Sequence, residues 1–260
     1  MGVEIDLSGR VALVTGGTRG IGAGIAGVLL RAGAEVWVCS RTPPERLPEG
    51  GGRRAEFRTA DVRDPEQVDR LIGEVAERWG GLDLVVNNAG GAPPADTTTA
   101  SPRFHAKIVE LNLLAPLLVC QRAWPGLRRR GGSVIMISSA AAHRPAPTAA
   151  AYAAAKAGLE SLTRTLALEF APEVRVNAIA VGLARTDGVA ARFGAAAADS
   201  GFARGIPLGR PAEAEDVGHA CAFLASPLAE YLTGDVLAVH GGGEPHPHLT
   251  RLAAESRARP

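Results

Sequence analysis

The chain has 260 residues, 46% of them apolar, and a formal net charge of +1 at pH 7. That is enough to bury a full core, and the near-neutral balance gives no electrostatic reason to expect nucleic acid or an anionic membrane as partner. Three cysteines (Cys39, Cys120, Cys221) stand far apart in apolar contexts, without metal-ligand or disulfide spacing, and the N-terminus lacks a basic-then-apolar signal; a soluble, cytoplasmic protein is expected.

Short β-branched runs alternate with longer helical patterns. Strands are predicted at Val11–Thr15, Glu35–Cys39, Ala55–Ala60, Leu82–Asn87, Ser133–Ser138, Arg175–Ala180 and Val236–Val239. Helices are predicted near 20–32, 65–79, 103–129, 148–171 and 213–225, the third kinked or ended by Pro116 and Pro125. The alternation implies stacked βαβ units: an α/β class fold with one parallel sheet, helices on both faces and a single domain over 1–260. Residues 183–210 form a long Ala/Gly-rich connection with Phe193, Phe202 and Ile206, expected to be a binding loop or lid. Residues 244–260 form a Pro/His-containing arm in which His246 and His248 lack a third ligand, so no metal is expected.

The first strand runs into Thr15-Gly16-Gly17-Thr18-Arg19-Gly20-Ile21-Gly22 and then a helix. This is a tight turn whose bare backbone lets a pyrophosphate reach the helix N-terminus, so Gly16, Thr18, Arg19, Gly20, Ile21 and Gly22 are expected to cradle a dinucleotide. The second strand ends in Cys39-Ser40-Arg41-Thr42, where an acid would bind the ribose diol of NAD. Ser40 and Arg41, helped by Arg19, instead favour the 2′-phosphate of NADP(H) over NAD(H). Asp61-Val62 is placed to meet an adenine edge, and Asn87-Asn88-Ala89-Gly90 follows the fourth strand where open α/β sheets bind ligands.

Lysine occurs only twice, as Lys107 and Lys156, and Lys156 lies one helical turn after Tyr152. The i, i+4 spacing lets phenol and ammonium share a pocket, where the positive charge is expected to lower the tyrosine pKa and suit it to acid–base work. Ser139 ends the fifth strand ahead of them. His143 reads as a solvated loop residue, with a place at a substrate entrance as the alternative. The run Arg128-Arg129-Arg130 reads as a solvated helix C-terminus complementing the dipole, with attraction of an acidic carrier protein as the alternative.

Taken in order, Thr15–Gly22, Asp61, Asn87–Gly90, Asn112, Ser139, Tyr152-x-x-x-Lys156 and Arg175-Val176-Asn177 resemble the short-chain dehydrogenase/reductase family in its single-domain form, similar to the 3-oxoacyl-[acyl-carrier-protein] reductases. The resemblance implies a Rossmann-like doubly wound parallel sheet and an NAD(P)(H)-dependent oxidoreductase interconverting a ketone and a secondary alcohol. It implies Tyr152 as general acid or base, Ser139 as the group polarising the substrate oxygen, and Lys156 as the ribose contact that tunes the phenol. Asn112 would organise a water relay to Lys156, and Gly182 and Thr186 would adjoin the nicotinamide. A hydrophobic or acyl-thioester substrate is expected, with steroid, terpenoid or sugar alcohols as alternatives, and a homotetramer or homodimer as the assembly. A non-catalytic dinucleotide-binding regulator is the remote alternative. Two positions depart from the pattern: Val181 stands where proline is usual, and His240 replaces an acid before Gly241-Gly242, expected to be a surface or interface change.

Overall fold

The computed structural model describes residues 4–185 and 205–243. Thr186, Phe193, Phe202, His246 and His248 therefore lie outside the described residues, as do most of the 183–210 connection and the whole 244–260 arm.

The strands are β1 (Val11–Thr15), β2 (Glu35–Ser40), β3 (Glu49–Gly50), β4 (Arg53–Arg54), β5 (Glu56–Thr59), β6 (Leu84–Asn87), β7 (Ser133–Ser139), β8 (Arg175–Val181) and β9 (Val236–Val239). Seven of them form one parallel sheet in the order β5-β2-β1-β6-β7-β8-β9. All seven predicted strands are present; β3 and β4 form a two-residue antiparallel ladder with no hydrophobic pattern to betray it. The helices are α1 (Gly20–Arg31), α2 (Pro65–Trp79), α3 (Pro102–Val109), α4 (Ala115–Arg130), α5 (Ala150–Phe170) and α6 (Ala214–Ala225). The sheet separates two apolar layers. Val28 and Leu29 of α1 with Val217 and Cys221 of α6 cover one face, and Val68 of α2, Val119 of α4 and Leu159 of α5 cover the other. Burial on both faces explains why the central strands read as unbroken apolar runs. All three cysteines are buried and unpaired, and burial pushes the Cys39 and Cys120 thiols up to about 11 and about 12.

The predicted kink takes a specific form. Helix runs from Pro102 to Arg130 through both prolines, but Glu110–Leu114 is a π-turn in which the Ala115 N–H reaches back to the Glu110 carbonyl. Pro116 has no N–H to offer the carbonyl four residues back, that of Asn112, and the wider turn accommodates it. By length and composition this helix could cross a membrane. Here Val119, Cys120, Ala123 and Leu127 are buried against the sheet instead.

Strand order reverses between β1 and β6, and the crevice beyond the carboxyl ends of those two strands is where such sheets bind ligands. Thr15 and Asn87, the last residues of β1 and β6, bring the glycine loop and the Asn88–Gly90 segment together there.

Candidate active site

Gly16 and Gly20 adopt φ of 62° and 52°, the left-handed region that favours glycine. A Cβ on Gly22 would come within 2.3 Å of the Gly16 carbonyl oxygen. Arg19, the N-cap of α1, makes no side-chain cap hydrogen bond, and the first turn holds no acid. By contrast, Asp64 caps α2 by accepting from the N–H groups of Glu66 and Gln67. The first turn of α1 thus offers N–H groups without a side-chain partner beside a bare backbone, and the residues present fit a dinucleotide pyrophosphate. Thr18 and Ile21 stand partly buried in this turn.

The Thr15 hydroxyl accepts from the backbone N–H groups of Asn88 and Ala89, both at 3.0 Å. Asn88 Nδ2 donates to the carbonyls of Thr15 at 2.9 Å and Gly16 at 3.2 Å. Asn88 was expected to face the cofactor; its side-chain amide holds the glycine turn that would cradle it. Ser40 was expected to donate to a 2′-phosphate, and its hydroxyl donates to the Thr42 carbonyl at 2.6 Å. Arg41, the next residue, is exposed, as is Arg19 in the glycine loop. Asp61 is not a free acceptor for an adenine edge. Arg63 binds it through two N–H groups at 3.0 and 2.6 Å, and that guanidinium holds the carboxyl below its usual range. Val62 beside it is buried.

The second half of the site is built on β7, the π-turn and α5. Asn112 is fully buried. Its Oδ1 accepts from the Gly91 N–H at 2.8 Å, and its Nδ2 donates to the carbonyls of Gly91 at 3.0 Å and Ile108 at 2.9 Å. A Cβ on Gly90 would lie 2.7 Å from Asn112 Oδ1 and 3.3 Å from Lys156 Nζ, so a side chain here would crowd both groups. Lys156 is 4% exposed; its Nζ donates to the Ile137 carbonyl at 2.8 Å and stands 5.6 Å from the centre of the Tyr152 ring. Ser139, at the end of β7, lies close enough to the Tyr152 phenol to stabilise its ionised form. Asn112, Ser139, Tyr152 and Lys156 are therefore brought into one place.

Their electrostatics differ from the expectation. Burial pushes the Tyr152 phenol up, with the Ser139 hydrogen bond opposing, and burial pushes the Lys156 ammonium down to about 8. Both groups leave water together, and loss of solvation outweighs the favourable charge that one gives the other.

Beyond Ser139 a cavity of about 320 Å³ opens between the ends of β7, β8 and β9, with Ala180, Leu183, Ile206 and Ala238 among its apolar walls. Gly182 sits at its edge, against His240. His240 lines this cavity, so its change is not merely on a surface. Val181 continues β8 by one residue, paired with Val239, where a proline would remove a strand donor. His143 also lines the cavity and is no solvated bystander, because its Nε2 lies 3.0 Å from Oε1 of the buried Glu160. Nor is the arginine run wholly solvated: Arg128 pairs with Glu173, and Arg130 donates to the Trp79 carbonyl. Glu160 and Arg63 are site residues without a motif of their own; only their spacing, four residues after Lys156 and two after Asp61, could have drawn attention to them.

A parallel sheet with a bare-backbone phosphate cradle at its switch point, next to a Ser–Tyr pair and a buried lysine, defines a nucleotide-dependent enzyme of the doubly wound class. Comparison with known proteins sharpens that class. The family model described as enoyl-(acyl carrier protein) reductase matches residues 16–244. A 3α-hydroxysteroid dehydrogenase of Mediterraneibacter gnavus is 36% identical over 244 residues, covering 90% of this chain and 97% of that one. An L-fucose dehydrogenase of Oryctolagus cuniculus is 38% identical over 260 residues, covering 91% and 86%. Among solved structures, a putative short-chain alcohol dehydrogenase from Sinorhizobium meliloti superposes with a TM-score of 0.83 at 36% identity, covering 92% of this chain and 98% of that one. The chain belongs to the short-chain dehydrogenase/reductase family of oxidoreductases acting on CH–OH groups.

Proposed function

We propose that this protein is an NADP(H)-linked oxidoreductase that interconverts a hydrophobic ketone and its secondary alcohol, with Tyr152 as acid and base. The observation that carries the reading is the clustering of Ser139, Tyr152 and the buried Lys156 ammonium, next to an apolar cavity lined by Ala140 and Gly182. Bound nicotinamide dinucleotide supplies hydride donor and acceptor chemistry. Ser139 orients the substrate oxygen. Tyr152 holds the proton that this oxygen gains in reduction and loses in oxidation. The buried Lys156 ammonium favours the phenolate as that proton leaves. Asn112, locked to Gly91 and Ile108, fixes the backbone against which Lys156 lies.

NADP(H) is the better fit because the stretch after β2 offers an exposed guanidinium, Arg41, with no carboxylate from Ser40 to Thr42, and the glycine loop offers another, Arg19. The apolar walls favour a hydrophobic substrate over a free sugar. The relatives named as a hydroxysteroid and an L-fucose dehydrogenase span both. An acyl-carrier-bound thioester has less support, since Arg128 and Arg130 are engaged within the protein. The exposed Leu114 on the π-turn and Leu168 on α5 suit a helical face covered by a second subunit, in keeping with a homotetramer, and a cytoplasmic location fits the three reduced thiols.

The deciding experiment uses Tyr152→Phe. The variant should bind NADPH as wild type does and lose turnover on every carbonyl of an alicyclic, thioester and sugar panel. Wild-type turnover in the variant would refute the mechanism. A preference for NADH in the wild type would refute the cofactor assignment.

A further inference from the structure

Glu160 is a buried carboxylate that the hydride-transfer chemistry does not use. Its side chain is 5% exposed, one turn beyond Lys156 on α5. Its Oε1 accepts from the Ser138 hydroxyl at 2.7 Å and lies 3.0 Å from His143 Nε2. A buried carboxylate needs donors, and one on Ser138 alone would suffice to clamp the β7 turn. The second polar contact comes from a ring whose side chain is 53% exposed and which lines the cavity next to Ala140, the residue after Ser139. His143 Nε2 thus faces the Glu160 carboxylate and is committed to that contact. The nitrogen left for the cavity is Nδ1, among walls that are otherwise mostly apolar.

Resting on the oxidoreductase reading above, we infer that His143, held by Glu160, recognises a second oxygen of the substrate, a hydroxyl remote from the reacting carbon, and that Glu160 is the positioning residue for it. A hydroxyl is the group that matches this ring. With Nε2 committed, Nδ1 accepts when the imidazole is neutral and donates when it is protonated, and a hydroxyl can answer in either sense. A carboxylate would answer only the protonated ring and would stand near the Glu160 charge. The ligand class is thus a compact alicyclic hydroxy-ketone, or the corresponding diol: apolar in body, with its reacting oxygen at Ser139 and Tyr152 and its second oxygen at His143.

The test measures kcat and KM with NADPH on matched ketones with and without the remote hydroxyl: cyclohexanone against its para-hydroxy derivative, and decalone against ring-hydroxylated decalones. Wild type should favour the hydroxylated member by on the order of tenfold in kcat/KM, the worth of one well-made hydrogen bond. His143→Phe should collapse that ratio towards unity, chiefly through KM. Glu160→Leu should do the same by releasing the ring. Glu160→Gln, whose amide oxygen still accepts from Nε2, should keep most of the ratio. A ratio unchanged in His143→Phe, or equal losses on both members of a pair, would overturn the inference, as would a wild type that prefers the unhydroxylated ketone. Should Glu160→Leu not fold, the His143→Phe ratio decides. The parent reading fails separately: it falls if wild type and Tyr152→Phe are indistinguishable across the panel, and the inference then falls with it.

Discussion

Lys156 should make folding stability depend on pH in a direction opposite to that of a lysine held in an ion pair. Burial lowers its ammonium from 10.5 to about 8. Between those values the unfolded chain holds a proton that the folded chain has released. Stability therefore rises with pH across this window, and below about pH 8 the native state carries the cost of a desolvated charge. For this shift the cost is about 3 kcal/mol at pH 7 and falls to under about 1 kcal/mol at pH 10, a change of about 2.5 kcal/mol. Lys156→Met removes the titration. It also leaves the Ile137 carbonyl without its donor, but that loss does not vary with pH and cancels when two pH values are compared. The assay is urea unfolding of wild type and Lys156→Met at pH 7 and pH 10, both in a Tyr152→Phe background so that no nearby phenol titrates. Wild type should gain about 2.5 kcal/mol on the variant as pH rises, with unchanged m-values. Parallel stability curves for the two proteins would refute the burial argument.

Other expectations are equally direct. With only Tyr152 and Tyr231 in the chain, phenolate absorbance in Tyr231→Phe reports Tyr152 alone; it should ionise above the ordinary tyrosine range, and ionisation below it would contradict burial as the dominant influence. Arg41→Ala should weaken NADPH binding about tenfold or more while leaving NADH within about twofold, and equal losses would remove Arg41 from the phosphate site. Gly90→Ala should crowd Asn112 and Lys156, lowering kcat and costing about 1–3 kcal/mol of stability; full activity would show that the crowding relaxes freely.

The sheet was legible because its strands are buried on both faces and the connecting helices punctuate them at regular intervals. Strands such as Val134–Ile137 or Val176–Ala180 offer no alternation to misread. The β3–β4 ladder escaped because two-residue strands carry no period, and the π-turn escaped because apolar spacing does not distinguish it from an α-turn. The candidate site was legible where a motif names a backbone requirement, as at Gly16 and Gly20, and where chemistry demands a residue type, as at Tyr152 and Lys156. It was less so where a side chain finds a local partner. Ser40 and Asn88 carry the right groups at the right positions, yet their hydrogen bonds go to Thr42 and to the glycine turn, a choice fixed by loop geometry.

The hydrogen bonds between α5 and β7 expose a further layer that no spacing encodes. On one turn of α5, Lys156 and Glu160 bury opposite charges, and they do not form an ion pair with each other. Each turns to β7: Lys156 to the Ile137 carbonyl, Glu160 to the Ser138 hydroxyl. Two charged anchors thus grip consecutive residues immediately ahead of Ser139, which in turn accepts from the Ala141 N–H at 3.2 Å and meets the Tyr152 phenol. The cost of burying each charge is offset by a hydrogen bond to the strand that carries the serine, so the placement of Ser139 relative to Tyr152 is over-determined from both sides of the α5–β7 contact. A rigid Ser–Tyr pair is what proton transfer at a bound oxygen requires, because a misplacement of about 1 Å at such a centre costs on the order of a hundredfold in rate.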